Sequence, residues 1–355
     1  MTDLFTPLQI RSVLLRNRIG VSPMCQYSSL DGFATDWHLV HLGSRSVGGA
    51  GLVMTEAAAV TPDGRISPRD LGLWKDAHID ALARCVEFIH GHGATAGVQL
   101  AHAGRKASTP PPWEGGQMLS EMDGGWRPVW APSAIPFSPE SATPQALSVP
   151  QIGEIVSSFA QAAWRAREAG FRVVEIHAAH GYLLHEFLSP LSNQRADEYG
   201  GSFENRTRMV REVAVAVRQT WPNDLPLFIR ISATDWADGG WDVEQSVALA
   251  RQLKPLGVDL VDCSSGALVP GASIPVAPGY QVPFAERIRQ EADIATAAVG
   301  LIREPTQAAD IIRQGQADIV LLARQMLRDP YWPQHAARQL GAAVPHPIQY
   351  GRAVE

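Results

Sequence analysis

FRVVEIHAAHGY, residues 171–182, sets two histidines and a tyrosine at the end of a largely apolar run. The stretch from Phe171 to Ile176 has the length and apolar character of a strand buried on both faces. An amphipathic helical segment, Gln151–Ala169, precedes it, and Gly170 stands where a helix C-cap falls. Helix, glycine, strand and polar cluster form one unit. Whether that unit recurs decides the fold.

It recurs. Further strands are expected at Arg18–Ser22, Gly51–Thr55, Thr95–Leu100, Leu227–Ser232, Asp259–Cys263, Ile294–Val299 and Asp318–Leu322. Amphipathic segments lie at Ala77–His90, Phe203–Thr220, Val243–Leu256, Phe284–Glu291 and Pro305–Gln314, and Gly257 marks a second C-cap before a strand. Eight β/α alternations predict an α/β fold, a single (β/α)8 TIM barrel. An open doubly wound sheet is the runner-up, and no GxGxxG follows the first strand to support it. Residues 1–17 read as an N-terminal hairpin covering the barrel floor. Residues 103–150, proline-rich and carrying Trp113, Trp126 and Trp130, form a long insertion after strand three. A connection of that length is functional or disordered, and the tryptophans argue against disorder. It is expected to cap the C-terminal mouth. The whole of residues 1–355 is therefore expected to be one domain, with 341–355 as a C-terminal tail.

A hydrophobic content of 45% and a charged content of 19% describe a globular protein with ample core. A net charge of −6 without any Lys/Arg run speaks against nucleic acid as a partner. No apolar run is long enough for a membrane span. Cys25, Cys85 and Cys263 form no CxxC pair, so a zinc ribbon or cysteine-ligated cluster is not expected, and their sparseness fits a reducing cytoplasm. The first residues, MTDLFTPLQIRS, lack the basic start and apolar core of a signal peptide.

In a TIM barrel the active site lies at the C-terminal ends of the strands. Those ends carry Ser22-Pro23-Met24-Cys25-Gln26-Tyr27, then Glu56 with Ala57–Ala59, then Gln99 and His102-Ala103-Gly104-Arg105-Lys106. The later strands deliver His177, His180 and Tyr182, then Arg230, Cys263-Ser264-Ser265-Gly266, Gly300, and Ala323-Arg324. Arginine is almost never buried alone, so Arg230 inside a strand needs an anionic partner, either a carboxylate or a bound ligand. Gly300 and Arg324, after strands seven and eight, match a barrel phosphate site. Phosphate site, internal arginine and Gln99 together suggest a phosphorylated cofactor with its ring system across the mouth. For His177 and His180, spacing alone leaves metal ligation, general base, hydrogen-bond donation and core packing open. A metal normally wants three or four ligands, and a helical turn would carry nearby His185 and Glu186 away.

PMCQYSS, QLAHAGRKA, EIHAAHGYLLHEFLSPLSNQRADEYGGSFENR, DCSSG and LLARQMLRDP resemble the Old Yellow Enzyme family of FMN-dependent ene-reductases, in particular its thermophilic-like branch of NADPH dehydrogenases and xenobiotic reductases. The resemblance spans essentially the whole chain. It implies a TIM barrel with FMN at its mouth, NADPH (or NADH) as hydride source, and an activated alkene as small-molecule substrate. It implies flavin contacts from Ser22, Pro23, Met24, Cys25, Ala59, Gln99 and Arg230, and phosphate contacts from Gly300, Ala323 and Arg324. The family usually has glycine where Ala323 stands. His177 and His180 would donate to the substrate's carbonyl or nitro oxygen, Tyr182 would protonate the α-carbon, and Tyr27 would line the substrate pocket. Cys25 would tune the flavin rather than act as a nucleophile, and Lys106 has no assigned role. Arg352 would reach the active site of a neighbouring subunit in a homodimer or homotetramer. A nitro- or nitrate-ester reductase, or a non-catalytic flavin-binding barrel, are the alternatives. The larger relatives that add an iron–sulfur cluster and a dinucleotide domain do not fit the cysteine count or the length.

Overall fold

The computed structural model describes residues 3–115 and 118–353. Eight strands, Ile19–Val21 (β1), Leu52–Ala59 (β2), Thr95–Ala101 (β3), Val173–Ala178 (β4), Leu227–Ser232 (β5), Leu260–Ser264 (β6), Ala295–Ala298 (β7) and Ile319–Leu322 (β8), close into a barrel in chain order. Every pairing is parallel, including β8 with β1. The TIM-barrel expectation holds. Parallel strands flanked by helices lose both faces to solvent, which is why the runs read as apolar rather than alternating. Of the barrel strand residues only Ala295, at the start of β7, is even half-exposed.

Local signals place the helices. The helix Val149–Glu168 starts at Ser148, whose hydroxyl accepts from Gln151 N while the Gln151 side chain reaches back to Ser148 N. Its Ile152, Ile155, Phe159, Ala162 and Ala166 face the barrel wall. Asp242 caps Val243–Leu253 through its side chain, which accepts from Gln245 N at 2.8 Å.

The expected helix over 203–220 is broken at Thr207 into Phe203–Arg206 and Arg208–Thr220. The Arg206 guanidinium holds the first piece to the preceding loop by donating to Leu188 O (2.8 Å) and Gly201 O (2.7 Å). The helix expected to run to Leu256 ends at Leu253 and closes in a 3-10 turn. Helices Asp36–Val47, Arg324–Arg328 and Trp332–Leu340 were not expected from the sequence, whereas the helical turn expected at His185 and Glu186 is the helix Leu183–Leu188.

A hairpin of Leu8–Ile10 and Val13–Leu15 seals the floor. Its Ile10, Val13 and Leu15 join the interior side chains of Leu52, Met54, Phe228 and Ile319 in one apolar cluster. At the other end, the segment after β3 is irregular, with 3-10 turns at Pro112–Glu114 and Glu121–Asp123 and one short strand pair. Its tryptophans fasten it to the mouth. Trp126 Nε1 donates to Asp63 O (3.0 Å), Trp130 Nε1 donates to Asp63 Oδ2 (2.7 Å), and Trp113 meets Tyr27 edge-on at 5.5 Å.

Candidate active site

The strand register brings the mouth together. His177 on β4 pairs with Arg230 on β5, Arg230 pairs with Asp262 on β6, and Gln99 on β3 pairs with Glu175 on β4. Arg230 Nη1 donates to Ser22 Oγ at 3.0 Å, and its Nε lies 3.1 Å from Asp262 Oδ2. The buried arginine thus has its carboxylate. Gln99 Nε2 donates to Glu175 Oε1 at 2.8 Å. Burial, with Asp262 nearby, pushes the Glu175 carboxyl up to about 8. Burial also raises Asp262, against the pull of Arg230. The interior therefore holds one guanidinium, two carboxyls and a proton that the carboxyls retain into the neutral range.

His177 and His180 meet edge to face with ring centroids 5.2 Å apart, and His177 meets Tyr182 the same way at 5.2 Å. Burial, followed by the field of Arg230, holds both imidazoles well below their ordinary pKa, so both are neutral. His177 Nδ1 is buried without a partner among the described residues. His180 sits in the left-handed region (φ 59°), its backbone N donates to Ser232 Oγ (2.9 Å), and its Nε2 shares a 2.7 Å hydrogen bond with Ser264 Oγ. A polar chain runs on from there. Ser265 Oγ donates to Gln281 Oε1 at 2.7 Å, and Gln281 Nε2 donates to Val299 O at 3.0 Å, next to Gly300.

Two cavities open at this end of the barrel. One is lined by Arg230, Ser264, Gly300, Ala323, Arg324 and Gln281, among others. Gly300 adopts φ 128°, a conformation for glycine, and a Cβ there would meet Gln281 Nε2 at 3.1 Å. Ala323 adopts φ −98°, ψ −98° at the entry to the helix Arg324–Arg328. Arg303, Arg324 and Arg328 line the cavity and make no ion pair among the described residues. The second cavity lies under the cap, lined by Tyr27, Tyr182, Ile66, Lys106, Phe137 and Met118, among others. Burial raises the phenols of Tyr27 and Tyr182, so both carry their protons at neutral pH.

Pro23, Met24 and Cys25 follow β1 in irregular backbone, anchored by Gln26 N donating to Glu56 Oε2 (2.9 Å). Ala59 ends β2. Burial, then Asp70 and Glu56, push the Cys25 thiol well up, so it is no thiolate. His185 faces away toward Asp235 Oδ1 at 2.8 Å, and Glu186 Oε1 accepts from Arg105 N at 2.9 Å. Arg352 lies exposed in a 3-10 turn, Ile348–Ala353, and lines neither cavity. Among the described residues no three of His, Cys, Asp and Glu converge as a metal site.

The sequence reading missed Glu175, Asp262 and Ser232, and named Ser264 only as a strand-end residue without a role. The signal was present. The rule that singled out Arg230, a charge inside an apolar strand, applies equally to Glu175 in VVEIH and Asp262 in LVDCS.

Residues 3–342 match the family described as NADH:flavin oxidoreductase / NADH oxidase. The NADPH dehydrogenase of Bacillus subtilis (strain 168) is 51% identical over 351 residues, 98% of this chain and 98% of its own. That of Geobacillus sp. (strain WCH70) is 52% identical over 353 residues, 99% of this chain and 98% of its own. Morphinone reductase superposes with a TM-score of 0.80 at 30% identity, covering 97% of this chain and 91% of that one. A 2-naphthoyl-CoA reductase superposes at 0.85 with 26% identity, and this chain spans 52% of its length.

Barrel and relatives together define a TIM-barrel flavin oxidoreductase, an enzyme that works with FMN and a nicotinamide. The chain belongs to the NADH:flavin oxidoreductase / NADH oxidase family, the Old Yellow Enzyme family that its motifs resemble. The residues present fit FMN. Gly300 leaves room for close backbone approach, and among the described residues Arg324 offers a guanidinium without a carboxylate and His177 Nδ1 is a buried polar atom lacking a partner.

Proposed function

We propose that this chain is an NADPH-dependent ene-reductase acting on enones, maleimides or nitroalkenes, as one unit with residues 103–150 as its cap. The observation that carries the reading is the cluster of neutral His177, neutral His180 and protonated Tyr182, in which Tyr182 lines the capped cavity and His180 is hydrogen-bonded to Ser264 in the wall of the other. Bound FMN would supply the hydride chemistry, linking the nicotinamide as donor to the β-carbon of the alkene as acceptor. Arg324, Gly300 and Ala323 would hold its phosphate. Ser22, Pro23, Met24, Cys25, Ala59, Gln99 and Arg230 would hold its ring system, with Arg230 fixed by Ser22 and Asp262 as standing positive charge.

His177 and His180 donate N–H to the substrate's carbonyl or nitro oxygen, which gains negative charge as the β-carbon takes hydride. Each neutral imidazole has one N–H to give. The Ser264 hydroxyl at His180 Nε2 leaves Nδ1–H for the substrate when Ser264 donates. Tyr182 transfers the proton on its Oη to the α-carbon, for which a phenol kept protonated by burial is suited. Tyr27 bonds the activating group. Cys25, as a thiol, tunes the flavin, and Arg352 serves a neighbouring subunit's site in a homo-oligomer. Localisation in the cytoplasm accords with three unpaired cysteines.

The purified protein is expected to be yellow, to release FMN on denaturation, and to oxidise NADPH when given cyclohexenone or maleimide. Colourless protein that cannot be loaded with FMN would overturn the reading. A panel adding nitroalkenes and nitrate esters separates the ene-reductase from a nitro-type reductase.

A further inference from the structure

Lys106 stands in the 3-10 turn Gly104–Lys106 directly after β3, and its ammonium crosses to two other loops. Nζ donates to His180 O at 2.8 Å and to Ala267 O. It lies over the Phe137 ring of the cap at 4.2 Å and over the Tyr182 ring at 5.6 Å. Both carbonyls belong to residues in the left-handed region, His180 (φ 59°) and Ala267 (φ 68°), and each has a left-handed glycine beside it, Gly181 and Gly266. Such backbone persists in non-glycine residues only where surrounding contacts over-determine it. The two turns touch back to back. A Cβ on Gly181 would stand 2.3 Å from Ala267 O and 3.0 Å from Lys106 Nζ. Ser232 Oγ completes the joint, accepting from His180 N at 2.9 Å and donating to Gly266 O at 3.0 Å.

The geometry points to Lys106 as a positioning residue: its ammonium bridges the carbonyls of the two left-handed turns and so sets the aim of the His180 imidazole and the Tyr182 phenol. This rests on the roles given to His180 and Tyr182 above. An ammonium binds two carbonyls through charge-assisted hydrogen bonds, and its charge over the Tyr182 ring ties the tyrosine to the same joint. Loss of the bridge leaves the strained backbone at His180 held by the Ser232 bond alone and uncouples it from the turn at Ala267. A misplacement near 1 Å of a catalytic donor costs on the order of 10²-fold in rate.

A second readout follows from the environment. Burial lowers Lys106 to about 8, with Glu186 opposing and Arg105 assisting. The other titratable groups facing it are His177, His180 and Tyr182, none of which changes charge near that pH, and Glu186, which burial raises to about 8. Reoxidation of the NADPH-reduced holoenzyme by cyclohexenone should therefore fall above about pH 8 as Lys106 loses its charge.

The test measures that step and FMN content in wild type and in Lys106→Met, Lys106→Arg and Glu186→Gln. Lys106→Met is expected to load FMN and to lose on the order of 10²-fold in the rate at saturating cyclohexenone. Lys106→Arg, which stays charged, is expected to recover part of the rate and to lack the alkaline fall. Glu186→Gln is expected to keep the fall. If Lys106→Met matches wild type in rate and pH profile, or if Glu186→Gln removes the fall, the positioning role is overturned while the ene-reductase reading stands. If wild type itself is not reoxidised by cyclohexenone, it is that reading that fails. Should Lys106→Met not fold, the pH profiles of wild type and Lys106→Arg decide alone: an alkaline fall shared by both overturns the role.

Discussion

Arg230 Nε lies 3.1 Å from Asp262 Oδ2 in the barrel interior, and the two residues are register partners on β5 and β6. A buried pair of this kind contributes little over an apolar substitute, but removing one member strands the other. Arg230→Met should therefore destabilise the FMN-free protein by about 3–5 kcal/mol, and Arg230→Met/Asp262→Asn by less than that. Urea denaturation of the two variants checks the order.

Glu175 gives the interior a pH dependence. Its folded pKa, about 8, is raised from the ordinary 4.5 by burial first and by Asp262 second. The folded state thus holds a proton that the unfolded state releases earlier. Its contribution to stability is complete below about pH 4.5 and is lost as pH rises through about 8. Wild type should lose more stability than Glu175→Gln between pH 5 and pH 8.5, measured by denaturant midpoint. A wild-type loss equal to the variant's would contradict a retained proton.

His177→Ala should lower the cyclohexenone turnover number by about 10²–10³-fold, the usual cost of one donor aimed at a developing oxyanion. Tyr182→Phe should cost less, since water can deliver a proton to the cavity side. Steady-state kinetics at saturating NADPH with FMN content confirmed for each variant gives the comparison.

The tail carries its own expectation. Tyr350 Oη lies 3.2 Å from Tyr331 Oη, which seats the turn bearing Arg352 on the body of its own chain. Deleting residues 349–355 should raise the KM for cyclohexenone without lowering the melting temperature appreciably. Unchanged kinetics would rule out a role for Arg352 in any subunit's site.

How far the sequence carried follows from what each element buries. The barrel strands were legible to within a few residues because burial on both faces leaves a short, largely apolar run before each polar strand end. The helix Asp36–Val47 was not, because its buried face carries His38, His41 and Arg45 beside Leu42, and no apolar period survives. The short helix Leu183–Leu188 is buried all round and lacks a period, so the turn at His185 and Glu186 was legible but its extent was not. The strand-end residues were legible as a set because parallel register delivers them to one face. Their partners were not. That Gln99 gives its N–H to Glu175, and that His180 leans on Ser232 and Ser264, depends on side-chain reach between strands far apart in sequence.

The most direct test reduces the FMN-loaded protein with one equivalent of NADPH without oxygen, then mixes it with cyclohexenone while following flavin absorbance. The account predicts prompt recovery of the oxidised spectrum with one equivalent of cyclohexanone formed, slowed about 10²–10³-fold by His177→Ala. Reduced flavin that persists until oxygen is admitted, with no cyclohexanone formed, would contradict it.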